Sequence, residues 1–321
     1  MIELLLAGAV LTAPLQTHPG AAARAGSPVT LEDVTVTGRP LEELIRNFVV
    51  EVAEPNRHRG LARWDDRICV GVANLQTETA QFMADRISTV AADLGLDTGG
   101  PGCTPNILVV ATDDANALAA TLVAERGRAF RLGGSGMDRG GDALEDFVRN
   151  PRPVRWWQMS MPTNSETGER AIRLPGECLG SCTGPGSALD YAPKTEVFAA
   201  SRIRTQIVDD LTRAIVLIDV DEVAHLSIMQ LADYIAMVSL AQIDPDADTT
   251  AYASILNVMK DPTAASGLMD WDRAYLGGLY DAERNASSGR AQRGEVVDSI
   301  RTAHRRIRDE SGDEGGEGVS E

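Results

Sequence analysis

The sequence predicts an α/β (α+β) fold, in which helices pack on a mixed sheet and the C-terminal part is irregular and helical. Two observations carry this prediction. Between residues 68 and 125, two apolar strand-like segments alternate with two helical segments, and the short joins favour a crossover unit with parallel strands. Between residues 154 and 243, two further strand-like segments lead into a long apolar helix.

The N-terminal half supplies a first helix, the crossover unit and a loop. Residues 41–53 (LEELIRNFVVEVA) place apolar side chains at helical spacing. Thr77 is the predicted N-cap of a later helix, because its hydroxyl can accept a hydrogen bond from the first turn. The predicted elements, in order, are a helix at 41–53, a strand at 68–75, a helix at 77–96, a strand at 106–112, a helix at 114–125 and a mobile loop rich in Gly and Arg at 127–142.

The C-terminal half supplies further strands and helices. The segment VRWWQMSMP (154–162) predicts a strand whose Trp156 and Trp157 project to opposite faces. The segment RIRTQIVDDL fits either a helix or a strand, and AIVLIDV (214–220) is apolar on both faces, as an interior strand is. Helices are predicted at 226–243 and about 291–308, with the segments 253–259 and 268–283 between them.

Both ends of the chain are predicted to lie outside the folded domain. The first residues contain a short apolar segment and the small-x-small pattern of a signal peptide at Ala23 and Ala25, although Glu3 and the lack of a preceding basic residue depart from it. We therefore predict export to the periplasm of a Gram-negative bacterium, or secretion. The predicted organisation is a signal peptide at 1–25, a linker with one short strand at 26–40, a single domain at 41–285, a C-terminal helix at 286–308 and a disordered acidic tail at 309–321.

Composition argues against several partners. The net charge of -17 disfavours nucleic acid, since its binding requires clustered Lys and Arg that neutralise phosphates. The same charge disfavours anionic lipid surfaces. No segment after the predicted signal peptide is long enough to span a bilayer, so the mature chain is expected to lack an integral membrane segment. The basic residues are almost all arginines, and the only lysines are Lys194 and Lys260.

The four cysteines favour an oxidising compartment. Cys69 begins one predicted strand and Cys103 stands just before the next, so neighbouring strands would bring the two thiols close. Cys178 and Cys182 could close a local loop. Four cysteines allow three connectivities, and we favour 69–103 with 178–182. A structural zinc site is the alternative, but two nearby thiols without a CxxC partner fall short of one.

The C-terminal third resembles a known class of protein. The stretches YASILNVM and GLMDWDRAYLGGLYDAE are similar to the C-terminal portion of metzincin-like peptidases, in which a turn passes beneath the metal. The pattern is carried by Leu268, Asp272, Leu276, Leu279 and Tyr280. Over about residues 40–285, the chain resembles a family of uncharacterised secreted bacterial proteins related to such zincins. The resemblance implies a zincin-like domain, with the 226–243 helix in the place of the metal-binding helix.

That helix lacks the residues of zinc hydrolysis. An HExxH motif places two histidines on one helical face, but the corresponding window here is QLADY (230–234). The four histidines of the chain are widely separated, so we predict neither a metal nor a catalytic residue. The candidate pocket residues are Gln230, Asp233, Tyr234, Trp156 and Trp157. For Asp233 the alternative is a hydrogen-bonded carboxylate at a helix–loop contact, and for the tryptophans it is packing in the core.

The sequence therefore favours a catalytically inactive exported protein that binds a peptide or an envelope protein. Its cleft would lie between the 226–243 helix and the 154–162 edge strand, where an extended peptide could add as a strand. One alternative is a hydrolase that uses Asp233 or the acids near 219–222. Another is a structural component of an envelope complex. No nucleophile elbow, P-loop or dinucleotide glycine pattern is present, so no cofactor is expected.

Overall fold

The central element of the fold is the long strand β5, which pairs with three other strands. The structure is a computed structural model, and it describes residues 40–131, 136–172, 174, 192–196, 201–202 and 204–314. The strands are β1 (Arg63–Trp64), β2 (Val70–Ala73), β3 (Ile107–Thr112), β4 (Val154–Asn164) and β5 (Ile207–Asp219). The helices are α1 (Leu41–Val52), α2 (Thr77–Asp93), α3 (Ala115–Phe130), α4 (Gly141–Arg149), α5 (Ile228–Leu240), α6 (Asp270–Asp281) and α7 (Gly289–Glu314).

The sheet is mixed, as the sequence predicts. Strands β1 and β3 run parallel to β5 along one of its sides, and β2 runs parallel to β3 beyond it. Strand β4 runs antiparallel along the other side of β5, with a register shift between Met159 and Ser160. The β2–α2–β3 segment is the predicted crossover unit with parallel strands.

The sheet separates two apolar cores. On one face, the sheet packs against helices α1, α2, α5, α6 and α7, and Trp156 and Val216 point into this larger core. On the other face, Trp157 and Leu217 pack with α3 and α4. Successive side chains of a strand point to opposite faces, so a strand between two helical layers is apolar throughout. The prediction that Trp156 and Trp157 project to opposite faces is confirmed.

Three segments differ from the sequence prediction or resolve it. The predicted loop at 127–142 instead contains the end of α3 and the start of α4, because Phe130 and Phe147 are buried in the smaller core. Residues 207–211 of the segment that fits either a helix or a strand belong to β5, which begins at Ile207. Helix α7 continues to Glu314, into the segment predicted as a disordered tail.

One of the predicted disulfides is present. Cys69 and Cys103 are bonded, with their Cα atoms 6.0 Å apart, and they join the start of β2 to the segment before β3. Cys178 and Cys182 lie outside the described residues. In the part of the chain that the structure describes, no helix has both the length and the apolar character needed to cross a membrane.

Helices α6 and α7 approach closely at one glycine. A Cβ atom on Gly278 would lie 2.4 Å from backbone atoms of Ile300, whereas a Cβ atom on Gly277 would lie 3.8 Å from its nearest neighbour, the Cβ of Ala303. We expect Gly278→Ala to lower the free energy of unfolding by about 2 kcal/mol, since the added methyl group forces the helices apart. Gly277→Ala is the matched control and should raise stability by about 0.5–1 kcal/mol through helix propensity. Urea unfolding measures both, and equal effects of the two changes would contradict the close approach.

Candidate functional site

Helix α5 is buried over nearly its whole length. It begins with a capping box, in which Ser227 Oγ accepts from the Gln230 amide (3.2 Å) and Gln230 Oε1 accepts from the Ser227 amide (2.9 Å). All residues from 230 to 240 are buried. A helix that is apolar all round packs in a core on every side. The candidate residues on α5 therefore face other parts of the protein and not open solvent.

Asp233 is paired on both carboxylate oxygens. Oδ1 accepts from Arg86 Nε at 2.5 Å, and Oδ2 accepts from Arg86 Nη2 at 3.1 Å and from the Leu268 amide at 2.7 Å. The side chain is 1% exposed. A Cβ atom on Gly267 would lie 2.6 Å from Oδ2, so a glycine is needed where this segment approaches α5. These contacts correspond to the helix–loop alternative considered for Asp233.

Gln230, one turn before Asp233 on α5, binds the same segment, which comprises residues 262–268. Its Nε2 donates to the carbonyls of Pro262 (2.6 Å) and Ala265 (2.7 Å). Gln230 and Asp233 together hold residues 262–268 across the helix. Both candidate residues are thus engaged with the protein's own backbone.

A second buried carboxylate, Asp272, lies at the start of α6. It accepts from Ser254 Oγ (2.5 Å) and from the amides of Ile255 (2.8 Å) and Met269 (2.9 Å). Burial raises the pKa of Asp272 to about 6; the hydrogen bonds oppose this rise, and the charge of Asp233 adds to it. Asp272 is one of the positions of the metzincin-like pattern, but its hydrogen-bond partners are not evident from the sequence.

The aromatic candidates divide between the two faces of the sheet. Trp156 donates from Nε1 to the Ile243 carbonyl (3.1 Å), and its ring lies edge-on to that of Tyr234, with centroids 6.1 Å apart. Trp157 donates to the Phe130 carbonyl (2.7 Å) in the smaller core. The sheet therefore separates Trp157 from the other four candidates, and Gln230 and Asp233 do not line the cavity that Trp156 and Tyr234 share.

Trp156 and Tyr234 border a cavity of about 130 Å³ between β4, α5 and residues 243–260. Burial raises the pKa of the Tyr234 phenol well above its usual range. The phenol hydroxyl makes no hydrogen bond to any residue that the structure describes. The cavity is lined by Val154, Trp156, Tyr234, Ile243, Leu256 and Met259, with Arg152, Asp244, Thr249 and Lys260 among its polar residues.

The two cations at this cavity differ in their pairing. Arg152 Nη2 forms an ion pair with Asp246 Oδ1 at 2.6 Å. Lys260 is exposed, and no described residue forms an ion pair with it. The cavity thus combines apolar side chains with a phenol hydroxyl and an ammonium group for which the described residues supply no hydrogen bond and no ion pair, respectively.

Strand β4 does not offer the open edge that the sequence predicts for peptide addition. Ten of its residues are buried and Met161 is half-buried. The protein's own chain occupies part of its outer side: the Ser160 amide donates to the Met137 carbonyl (2.9 Å), and the Ala171 amide donates to the Pro162 carbonyl (2.8 Å). An incoming strand would have to displace these segments.

The start of β5 carries a buried charged cluster, Asp209 and Asp210 with two arginine partners. Asp209 and Asp210 are 8% and 7% exposed. Asp209 pairs with Arg59, and Asp210 pairs with Arg284. Burial raises the pKa of Asp209, and Arg59 opposes the rise. Two polar grooves of about 610 and 550 Å³ share Arg284 and Val208 beside this cluster.

Among the candidate acids near 219–222, Asp219 has a structural role. Asp219 accepts from the amides of Ala115 and Glu222, both at 3.3 Å, at the junction of β5 with α3 and the following turn. Within the described ranges, no three His, Cys, Asp or Glu side chains converge closely enough to hold a metal ion.

Comparisons of the chain with protein-family models, with curated proteins and with solved structures find no match.

Proposed function

We propose that this chain is a non-catalytic binding protein that takes the C-terminal residue of a peptide into the cavity beside Trp156 and Tyr234. The proposal rests on a cavity of about 130 Å³ with apolar side chains and, at the same site, the ammonium group of Lys260, which forms no ion pair with a described residue. A cavity of about 150 Å³ holds a benzene molecule, so this one suits a single apolar side chain.

The polar groups favour a terminal carboxylate as the second recognition element. Lys260 would pair with the carboxylate, since charge-assisted hydrogen bonds are about twice as strong as neutral ones. The Tyr234 hydroxyl could donate to a peptide carbonyl, because it makes no hydrogen bond to any described residue. Capture of a C-terminal carboxylate is a recurrent mode of peptide recognition.

The scaffold and its compartment are part of the same proposal. The order of β4, β5 and α5 supports a zincin-like origin, because the sequence resemblance places the cleft between the edge strand and this helix. The Cys69–Cys103 disulfide supports function in an oxidising compartment such as the periplasm. The contacts of Asp233 count against its use as a hydrolase residue, because both of its oxygens are engaged by Arg86 and the Leu268 amide.

The proposal predicts that binding requires both the carboxylate and Lys260. A fluorescein-labelled hexapeptide ending in leucine should bind with a free terminus and lose at least tenfold in affinity when amidated, as measured by fluorescence anisotropy. Lys260→Met should weaken binding of the free-acid peptide about tenfold, or about 1.4 kcal/mol. Lys194→Met is the matched control, because Lys194 is the other lysine, is exposed and does not line the cavity; it should leave the affinity unchanged.

Filling the cavity tests the apolar half of the proposal. Ala247 is half-buried at the cavity wall, so Ala247→Phe should occupy the space and abolish binding while the protein stays folded by circular dichroism. Equal binding of the amidated and free-acid peptides, with no effect of Lys260→Met, would overturn terminal-carboxylate recognition. Retained binding by a folded Ala247→Phe variant would overturn the cavity as the site.

A further inference from the structure

Strand β2 forms the outer edge of the sheet, opposite β4. It pairs with β3, and the described strands supply no neighbour on its other side. All four of its residues are half-buried, in contrast to the nearly complete burial of β4. Strand β2 is therefore more accessible to solvent than strand β4 at the opposite edge of the sheet.

The alternation of hydrogen bonds shows which backbone groups of β2 face outward. The Ile107 amide donates to the Cys69 carbonyl (3.1 Å), so in this parallel pair the backbone groups of residues 69, 71 and 73 face β3. Ile68, which precedes Cys69, makes its hydrogen bonds on the side away from β3. Its amide donates to the Asp97 carbonyl (2.8 Å), and its carbonyl accepts from the Gly99 amide (2.7 Å). By the same alternation, the amides and carbonyls of Val70 and Val72 face outward.

The described residues leave these outward groups without a backbone partner. Neither Val70 nor Val72 makes a backbone hydrogen bond on that side to any residue that the structure describes. The contact between Ile68 and residues 97–99 is already a short parallel pairing on the same side of the chain. A strand added beside β2 would extend this pairing from Ile68 to Val70 and Val72.

The surroundings of the edge are apolar and lack the usual protection. The segment ICVGVANL (68–75) contains no charged residue, although exposed edge strands commonly carry charges or proline that prevent pairing. Leu108 of β3 is 38% exposed on the sheet face beside β2. Side chains of an added strand would find apolar contacts there.

We propose that β2 binds an extended, basic segment of a partner protein by strand addition. The ends of the edge are acidic: Asp66 and Asp97 are exposed near its start, beside the single base Arg67, and Asp113 is exposed just beyond the end of β3. With a net charge of -17 on each chain, a second copy would be repelled, whereas a basic segment is attracted. This surface is separate from the cavity of the proposed peptide site.

The test uses the full chain and the synthetic peptide KVTVTVK as the probe. In amide exchange followed by NMR, saturating peptide should slow exchange at Val70 and Val72 at least tenfold. The amides of Gly71 and Ala73 face β3 and should not change. Backbone N-methylation of the peptide on one set of alternate residues should abolish binding, and methylation of the other set should not, because a strand bonds along one edge only. Raising the salt concentration should weaken binding.

A variant on the protein side gives an independent check. Val72→Pro removes an outward amide without removing a bond to β3, and proline is tolerated at sheet edges, so the folded variant should lose the peptide. Unchanged exchange at Val70 and Val72, or equal effects of the two methylated peptides, would overturn the proposal. If the Val70 and Val72 amides were already protected from exchange in the peptide-free protein at low concentration, another part of the same chain would occupy the edge and the proposal would be overturned. If protection of these two amides increased with protein concentration, a second copy of the chain would occupy the edge and the proposal would be overturned.

Discussion

Replacing Asp233 with alanine should lower the free energy of unfolding by about 4 kcal/mol, because breaking a buried ion pair leaves its partner uncompensated. The change would leave Arg86 without its carboxylate and the Leu268 amide without an acceptor. It would also release Leu268 from α5, while Gln230 would still hold Pro262 and Ala265. Urea unfolding followed by tryptophan fluorescence measures the loss.

Two controls distinguish the loss of the Asp233–Arg86 ion pair from the general effect on stability of removing an acidic side chain. Asp85 precedes Arg86 on α2 and is exposed, so Asp85→Ala should change stability by less than about 0.5 kcal/mol. Replacing both partners with leucine should cost less than Asp233→Ala alone, since no charge is then left buried without a partner. A loss below about 1 kcal/mol for Asp233→Ala would contradict the structural role assigned to this pair.

The second large effect is a pH dependence from Asp272. Its pKa is about 6 in the folded protein, whereas the ordinary value of 3.8 applies to the unfolded chain. Between these values the folded state binds more protons, so the free energy of unfolding falls as the pH rises from about 4 to above 6, by about 3 kcal/mol in total. The stabilisation is fully present below pH 4 and is lost as the carboxyl ionises.

Asp272→Asn isolates this contribution from those of other carboxyl groups. An asparagine Oδ1 can accept from the Ile255 and Met269 amides, and its Nδ2 can donate to Ser254 Oγ, so the contacts persist without a charge. Urea unfolding of both proteins at pH 4, 5, 6 and 7 should give a stability difference that changes by about 2 kcal/mol across the range, since the unfolded carboxyl is already partly ionised at pH 4. Parallel stability curves would show that Asp272 does not titrate in this interval.

Much of the fold could be predicted because its signals are local. Strands β3 and β4 appear in the sequence as short apolar runs, and α2 as an amphipathic stretch, so short segments are sufficient to identify them. The placement of Trp156 and Trp157 on opposite faces follows from strand geometry alone. The Cys69–Cys103 bond followed from the expectation that two consecutive strands are neighbours. Helix α4 was missed because it has nine residues and buries one large apolar side chain, Phe147.

The candidate site could be predicted only in part, because its contacts are long-range. Arg86 lies 147 residues from Asp233, and nothing in the local sequence of either residue identifies the other. The cavity beside Trp156 and Tyr234 depends on where residues 243–260 cross the end of α5. Two adjacent acids such as Asp209 and Asp210 usually lie on the surface of a protein. Here both are buried, because Arg59 and Arg284 pair with them. The order of the strands, which leaves β2 at an edge, is also not encoded in any one segment.

The position of β5 in the chain determines when the sheet can form during synthesis. All three strands that pair with β5 precede it in sequence, and the nearest of the parallel ones, β3, ends at residue 112, whereas β5 ends at residue 219. At 5–20 residues per second, the valine-rich strands β2 and β3 would wait roughly 5 to 20 s for their central partner. Their apolar faces are accessible to chaperones during that time, and a ribosome-bound chain that stops before residue 207 should remain a chaperone substrate.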